Sequence, residues 1–426
     1  MERFAITGFG CAGYHALSAI RETGCTAQID VYSDTDMPPY NPMLTTYYAA
    51  GRLPYEGMFP FGTLEEIGRR FHADFHTKVR VNEIRAGEKT VVTSDGKEKA
   101  YDKILVGTGA RAFVPGAFAS LRGAHCMRTV KDAGKLKETL NKRAYKNAVV
   151  IGASMVGIKV AELLHKRGIK VTLADMASHI FALAAYPEVS QMIEERLGKM
   201  GIELRLGQAI TEACEHTDEA DNVTGYTVCF GDGGRLEAEL LILNMGTRAA
   251  TEILRPEEIQ IDRGIVVNTR MEASVPGIYA AGDCCQGNNL QSGQTQIIGL
   301  WANAGVQGRT AGRNMAGAGD EADGNILHNI THFLDMDFIG LGDNRVMGET
   351  YKYVNPDRGF YLQAVLKDGK PAGFNILDNY GLSGVLKAHL IKVLRGEPSR
   401  FTPEQKGQLK HFGLTEEFIE YLEAVV

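Results

Sequence analysis

Runs of apolar residues and stretches of helical spacing alternate along the chain, and each defines an element. Phe4-Ala5-Ile6-Thr7 reads as a short strand buried on both faces. Ala16, Leu17 and Ile20 recur at helical spacing, which predicts a helix reaching about Thr23. Ala27 to Tyr32 predicts a second strand, ending at Asp34. Between the first strand and the helix stands Gly8-Phe9-Gly10-Cys11-Ala12-Gly13. This is the order of a dinucleotide-binding βαβ unit. Gly8 permits the tight turn, Gly10 lets backbone approach a pyrophosphate, and Gly13 lets helix and strand pack closely. The helix N-terminus offers free N–H groups to the anion. Asp34, 21 residues beyond Gly13, is placed to accept a ribose hydroxyl.

The same pattern returns later. Ala148-Val149-Val150-Ile151 is followed by Gly152-Ala153-Ser154-Met155-Val156-Gly157, a helical stretch through Val160, Leu163 and Leu164, and a strand Ile169 to Leu173 before Asp175. Gly152 lies 144 residues after Gly8. A duplicated βαβ unit implies two dinucleotide sites. Between the copies, three prolines within Pro38 to Pro42 exclude a helix there, and Leu44 to Gly51 and Leu64 to Phe71 predict helices. Lys78 to Val81 and Thr90 to Thr93 predict strands, with Asp95-Gly96 as a turn. Tyr101 to Val106 leads into Gly107-Thr108-Gly109-Ala110-Arg111, and Leu240 to Arg248 closes the second copy in the same manner. Gly264 to Val267 and Gly277 to Asp283 predict further strands, and Leu300 to Ala316 a helix of small residues. From Gly324 the pattern changes to antiparallel strands with an Asp368-Gly369 turn, then helices over Leu386 to Leu394 and Glu416 to Val425. The fold class expected is α/β: two Rossmann-like dinucleotide-binding domains plus a C-terminal α+β domain.

Composition narrows the function. At 426 residues, with 44% hydrophobic and 23% charged, the chain is long enough for several globular domains. A net charge of −6 without a basic tract excludes a nucleic-acid footprint. No apolar run approaches the roughly 20 residues of a membrane span, and no signal peptide is evident. The seven cysteines are odd in number and scattered, as reduced thiols in a cytoplasm would be. His328 and His332 sit in a strand-like stretch without a third ligand, so no metal is assigned.

With these motifs assembled, the chain resembles the pyridine nucleotide–disulfide oxidoreductase superfamily. In particular it resembles the branch that holds NADH-dependent ferredoxin and rubredoxin reductases and the flavin module of nitrite reductase. The likeness rests on both glycine motifs, Thr108-Gly109-Ala110-Arg111, Ile278-Tyr279-Ala280-Ala281-Gly282-Asp283 and Trp301-Ala302-Asn303-Ala304. It implies an FAD-binding domain over 1–113 and 248–323, an NAD-binding domain over 114–247, and a C-terminal interface or dimerisation domain over 324–426. It implies FAD on Gly8, Gly10, Cys11, Ala12, Gly13, Asp34, Val81, Thr108, Gly109, Arg111, Gly282, Asp283, Leu300 and Trp301. Asp34 would take the adenosine ribose, Asp283 the ribityl and pyrophosphate, and Trp301 would lie near the flavin ring. It implies the nicotinamide nucleotide on Gly152, Ser154, Val156, Gly157, Asp175 and Gly246. An acid at Asp175 disfavours a 2′-phosphate, so NADH is expected over NADPH. The plainer alternatives are a strand-end acid at Asp175 and a helix N-cap at Asp283.

Several positions depart from the family pattern. Ser154 replaces the middle glycine of the second motif. Lys159 stands where the family often has Glu, and Thr45-Thr46 where it often has a flavin-proximal Lys. Lys159 is therefore a candidate catalytic cation near the flavin, the alternative being an exposed helix lysine. Met43 stands near the place of the catalytic Cys of disulfide-reducing relatives, and Met forms no thiolate. Cys11 and the pair Cys284-Cys285 belong to loops that should converge at the cofactor. Cys285 is the candidate redox thiol, the alternative being a small buried residue. The expected function is NAD(P)H:acceptor oxidoreduction through FAD in the cytoplasm. A redox protein or small molecule would accept the electrons, in a homodimer or a subunit of a redox complex. A flavin protein without turnover is the remaining alternative.

Overall fold

A computed structural model describes residues 1–397 and 400–423. It divides into two compact units. Unit 1 holds Met1–Phe113, Arg128–Ala133 and Thr247–Asn325; unit 2 holds Val114–Met127, Gly134–Gly246 and the chain from Ile326 onward.

Unit 1 is built on a five-stranded parallel sheet. It comprises β1 (Arg3–Thr7), β2 (Gln28–Ser33), β3 (Asp74–Thr77), β7 (Lys103–Val106) and β18 (Ile278–Ala280), in the order β18-β7-β1-β2-β3. Helix α1 (Cys11–Glu22) crosses from β1 to β2 and packs on α7 (Trp301–Met315). The approach is close because α7 presents glycine. A Cβ on Gly308 or Gly312 would run into the backbone of Ala12 or Ala16. That is the physical reason for the run of small residues in α7. Smaller sheets surround this core: β4 (Val81–Arg85), β5 (Thr90–Thr93) and β6 (Glu98–Ala100); β8 (Ala110–Ala112) with β16 (Thr247–Ala249); and β17 (Ile265–Val266), β19 (Cys285–Asn288) and β20 (Thr295–Gln296).

Unit 2 repeats the parallel arrangement with β9 (Asn147–Ile151), β10 (Lys170–Ala174), β11 (Glu203–Arg205) and β15 (Leu240–Leu243), ordered β11-β10-β9-β15. Helix α5 (Met155–His165) follows β9, and α6 (Pro187–Lys199) precedes β11. An antiparallel meander, β12 (Ile210–Thr217), β13 (Val223–Phe230) and β14 (Arg235–Ala238), precedes β15. The C-terminal sheet is antiparallel: β21 (His328–Phe333), β22 (Met336–Gly342), β23 (Glu349–Asn355), β24 (Phe360–Lys367) and β25 (Lys370–Leu377), ordered β21-β22-β25-β24-β23. Helix α8 (Ser383–Leu394) packs against this sheet, followed by α9 (Pro403–His411) and α10 (Glu416–Glu423). The segment after β10 is latched to it. Asn375 accepts from Tyr186 N at 2.7 Å and donates to the Ala184 carbonyl at 3.1 Å, while Asn344 donates to the Ala182 and Ala185 carbonyls. The α/β class with two Rossmann-like sheets and a C-terminal α+β segment is thus the observed architecture.

Two local expectations change. Lys78 to Val81 is not one strand. Lys78 turns at φ +57° after β3, and β4 starts only at Val81. The proline segment does not exclude helical turns. Pro42 opens the single turn Pro42–Leu44, with the Asn41 side chain accepting from Met43 N, and α2 (Thr45–Ala49) follows. Proline at the first helical position costs nothing, because its missing N–H would have had no partner. The C-terminal helix runs over Glu416–Glu423, and its expected end at Val425 lies outside the described residues. The predicted helix over Leu64 to Phe71 is α3, with those bounds.

Candidate functional site

The first site forms where β1 ends. Gly8 turns at φ +91°, and a Cβ on it would lie 2.5 Å from the Gly107 carbonyl at the end of β7. Gly13 is as constrained, with a hypothetical Cβ 2.6 Å from the Gly8 carbonyl. Gly10 faces open space on its Cβ side and serves as N-cap of α1 without any side-chain cap. The first-turn amides of α1 therefore stay free for an anion. Asp34 is exposed just past β2. Gly282, at φ +86°, brings its loop against Ala12, and Asp283 follows it. Thr108 donates to the Ala250 carbonyl at 2.6 Å, and Gly109 turns at φ +69°. Arg111 pairs with Glu252 at 3.5 Å, and Val81 is buried at the start of β4.

Asp283 has a partner that the motifs did not reveal. The Arg128 guanidinium donates to Asp283 Oδ2 at 2.6 Å and to the Ala110 carbonyl at 3.2 Å. Arg128 lies 155 residues before Asp283 and belongs to neither motif. Helix α7 begins beside this acid. Its N-cap, Leu300, supplies no side-chain cap. Trp301 is stacked by Phe61 at 5.9 Å between ring centroids, and Phe61 by Tyr14 at 4.0 Å. The buried indole Nε1 has no hydrogen-bond partner. Uncapped amides, open space beside Gly10 and an unpaired indole N–H fit an anionic, ring-bearing cofactor such as FAD.

The thiols at this site are quiet. Cys11 donates to the Trp301 carbonyl at 3.3 Å, and burial followed by the Asp283 charge pushes its pKa up to about 12. Cys284 donates to the Val106 and Ala281 carbonyls, and Cys285 to the Gly282 carbonyl at 3.3 Å. Burial raises both of their pKa values, that of Cys285 well above its ordinary range.

The second site forms where β9 ends. Gly152 turns at φ +108°, with its Cβ side against the Asn244 carbonyl, and Gly157 is packed onto the Gly152 carbonyl. Ser154 caps α5, its hydroxyl accepting from Gly157 N at 3.4 Å. A serine at the middle position thus takes one first-turn amide for itself. Val156 at the helix start is 43% exposed, and Gly246 turns at φ +104°. Asp175, just past β10, accepts from Ala153 N at 2.7 Å and Ala177 N at 2.9 Å. The acid is held beside the glycine turn, which fits a nucleotide whose ribose meets it there. Lys159 is engaged inside unit 2. It pairs with Glu162 at 2.5 Å and donates to the His332 carbonyl at 2.7 Å. Burial opposes ionisation of Glu162, but Lys159 and Lys166 lower its pKa.

Known proteins share this arrangement. The chain is 26% identical over 396 residues to the epsilon subunit of the NADH-dependent phenylglyoxylate dehydrogenase of Aromatoleum evansii, covering 92% of this chain and 91% of that protein. It is 29% identical over 290 residues to putidaredoxin reductase of Pseudomonas putida, covering 67% of each. The structure superposes on the water-forming NADH oxidase of Lactobacillus brevis with a TM-score of 0.84 at 21% identity, over 93% of this chain and 91% of that one. Residues 2–308 match the family described as pyridine nucleotide-disulphide oxidoreductase. With two glycine turns, each opening a helix at the end of a parallel strand, the chain belongs to that family and is an FAD- and pyridine-nucleotide-dependent oxidoreductase.

Proposed function

We propose that the enzyme takes hydride from NADH held on unit 2, stores the electrons on FAD held on unit 1, and passes them to an acceptor outside the chain. The observation that carries this reading is the pair of glycine turns, Gly8 against Gly107 and Gly152 against Asn244, at the reversal points of two parallel sheets. Bound FAD would supply a ring able to take up two electrons and release them to an acceptor. The chain supplies orientation and charge. The free amides of α1 hold the pyrophosphate, and Asp34 takes the adenosine ribose. Arg128 fixes the Asp283 carboxylate toward the cofactor chain, and the Tyr14–Phe61 stack holds the Trp301 indole in place. On unit 2, Asp175 reads the ribose and its charge disfavours a 2′-phosphate. Lys159 and Cys285 stay outside the chemistry: one is committed to Glu162 and the other is a buried neutral thiol.

The acceptor lies outside the chain, since none of the thiols beside the first glycine turn is a thiolate ready for disulfide exchange. Met43 stands in the loop where a nucleophile would be needed, and the three thiols near the cofactor are protonated. A redox protein or a small molecule is the acceptor class, in the cytoplasm. A second reading, a flavin-bearing subunit of a larger redox complex, is favoured by the end-to-end likeness to the epsilon subunit named above. Anaerobic stopped-flow mixing with NADH tests the proposal. Rapid loss of the flavin visible absorbance, recovered on adding ferricyanide, is expected; a flavin that NADH leaves oxidised rules it out. Co-elution of the native protein with other redox subunits selects the second reading.

A further inference from the structure

The chain leaves β9 toward β10 on one side and returns beside β9 as β15 on the other. In such a sheet the ligand lies in the crevice outside the carboxyl ends of the strands where the order reverses. Here that crevice opens between Gly152, which ends β9, and Asn244, which ends β15. The two are in contact. A Cβ on Gly152 would collide with the Asn244 carbonyl and lie 3.4 Å from the Asn244 Cβ. The first unit has the same junction, but Gly107 stands at the strand end that meets Gly8. Of the two junctions, only the second carries a side chain.

That side chain is half used. Asn244 Oδ1 accepts from Met127 N at 3.2 Å. The contact fixes the amide orientation, because a backbone N–H needs an acceptor. Nδ2 then carries two donors, and it is buried with no partner. Buried donors are rarely left unpaired, since they lose their bonds to water without replacement.

We propose that Asn244 is a binding residue for the nicotinamide half of NADH, with Nδ2 donating to an oxygen of that half. This rests on the reading that unit 2 takes the pyridine nucleotide. The geometry selects the half. Asp175 ends the neighbourhood of β10, on one side of β9, where the adenosine ribose is read. The pyrophosphate sits at the Gly152–Gly157 turn, and the remaining half of the molecule extends toward β15 on the other side. The oxygens offered there are those of the second ribose, its phosphate and the carboxamide.

Asn244→Asp keeps the acceptor that Met127 uses and replaces the donors with a carboxylate. Asn244→Ala removes the whole amide and carries the test should the first variant misfold. The holoenzymes are titrated calorimetrically with 1,4,5,6-tetrahydro-NAD, which cannot deliver hydride, and with 5′-AMP, which lacks the whole nicotinamide half. The dissociation constant for tetrahydro-NAD should rise about 5-fold or more, while that for 5′-AMP stays within about twofold and Asn244→Asp melts at the wild-type temperature. Unchanged tetrahydro-NAD affinity overturns the proposal, as does a parallel loss of both ligands. Wild-type enzyme that binds neither ligand removes the nucleotide site itself, an outcome distinct from a loss confined to the variants.

Discussion

Cys11, Cys284 and Cys285 lie beside the Gly8 and Gly282 turns, yet their surroundings remove their chemistry. Each thiol donates to a backbone carbonyl, and burial disfavours the charged thiolate. Cys11, with a pKa pushed up to about 12, stays neutral across the working pH range. Cys214 differs in access rather than in charge: desolvation and Glu212 raise its pKa as well, but it is exposed on the meander of unit 2. Brief treatment of the native holoenzyme with iodoacetate near pH 8 should therefore label Cys214 and spare these three, as read by peptide mass mapping. Cys285→Ser should leave the rate of flavin reduction by NADH within about twofold, since hydroxyl and thiol can donate to the same Gly282 carbonyl. Loss of reduction in that variant would restore a redox role to the thiol. At this scale the sequence reveals residue types but not their partners. Gly8, Gly13, Gly152 and Gly157 are legible because only glycine fits turns that tight. Ser154, a departure from the middle glycine of the motif, serves as a helix cap, a role decided by one hydroxyl-to-amide contact. Arg128 was invisible because nothing near it in the chain marks it, and only folding brings it to Asp283.

Among the elements, period and punctuation made most of the βαβ architecture readable. Apolar runs of four or five residues became β1, β9 and β15, the first two followed directly by glycine, and the small-residue run from Trp301 became α7. The misplaced strand at Lys78 to Val81 has a simple cause. Its alternation is sound, but the backbone reverses at Lys78 in a left-handed conformation that no glycine announces. The C-terminal helices carry a titration of their own. His389 on α8 is 2% exposed, its ring stacks on Phe401 at 4.2 Å, and Nε2 has no partner. Burial lowers its pKa to about 4, with a hydrogen bond to the Leu422 backbone and the charge of Glu423 opposing that shift and Lys392 adding to it. The unfolded histidine titrates near 6.5. Between pH 6.5 and 4 the unfolded state therefore binds the extra proton, so stability is full above 6.5 and falls as pH drops through that window. The loss amounts to about 3 kcal/mol for this group. Amide exchange in α9 and α10 should accelerate at pH 5 relative to pH 7, after correction for intrinsic rates. His389→Leu should suppress that acid component, leaving the part owed to His328, which burial and Lys387 also lower to about 4.

For the molecule as a whole, the 144-residue repeat made the two βαβ units with their glycine turns legible, and the change of pattern at Gly324 marked the antiparallel segment. What joins that segment to the second parallel sheet was not legible, because single polar residues make the join. Asn344 and Asn375 hold the carbonyls and amide of the segment Ala182 to Tyr186, Arg196 pairs with Asp378, and Phe181 stacks on Phe338. No periodicity announces contacts of this kind. The chain passes between the two units at 113/114, 127/128, 133/134, 246/247 and 325/326. Each unit is therefore assembled from separated stretches, and the two ligands should stabilise different sets of peptides. A ligand held only by the native state at 100 times its dissociation constant adds about 2.7 kcal/mol. Removing FAD should speed amide exchange in β1, α1, β7 and α7, with far less effect on β9, α5 and β15. ADP-ribose added to the FAD-loaded enzyme should slow exchange around Gly152 to Val156 and Asp175, and leave α1 unchanged. Should FAD protect the Gly152 turn and ADP-ribose the Gly8 turn, the assignment of cofactors to units would be reversed. The argument from Asp175 to NADH preference would then fall with it, since that acid would face the flavin nucleotide.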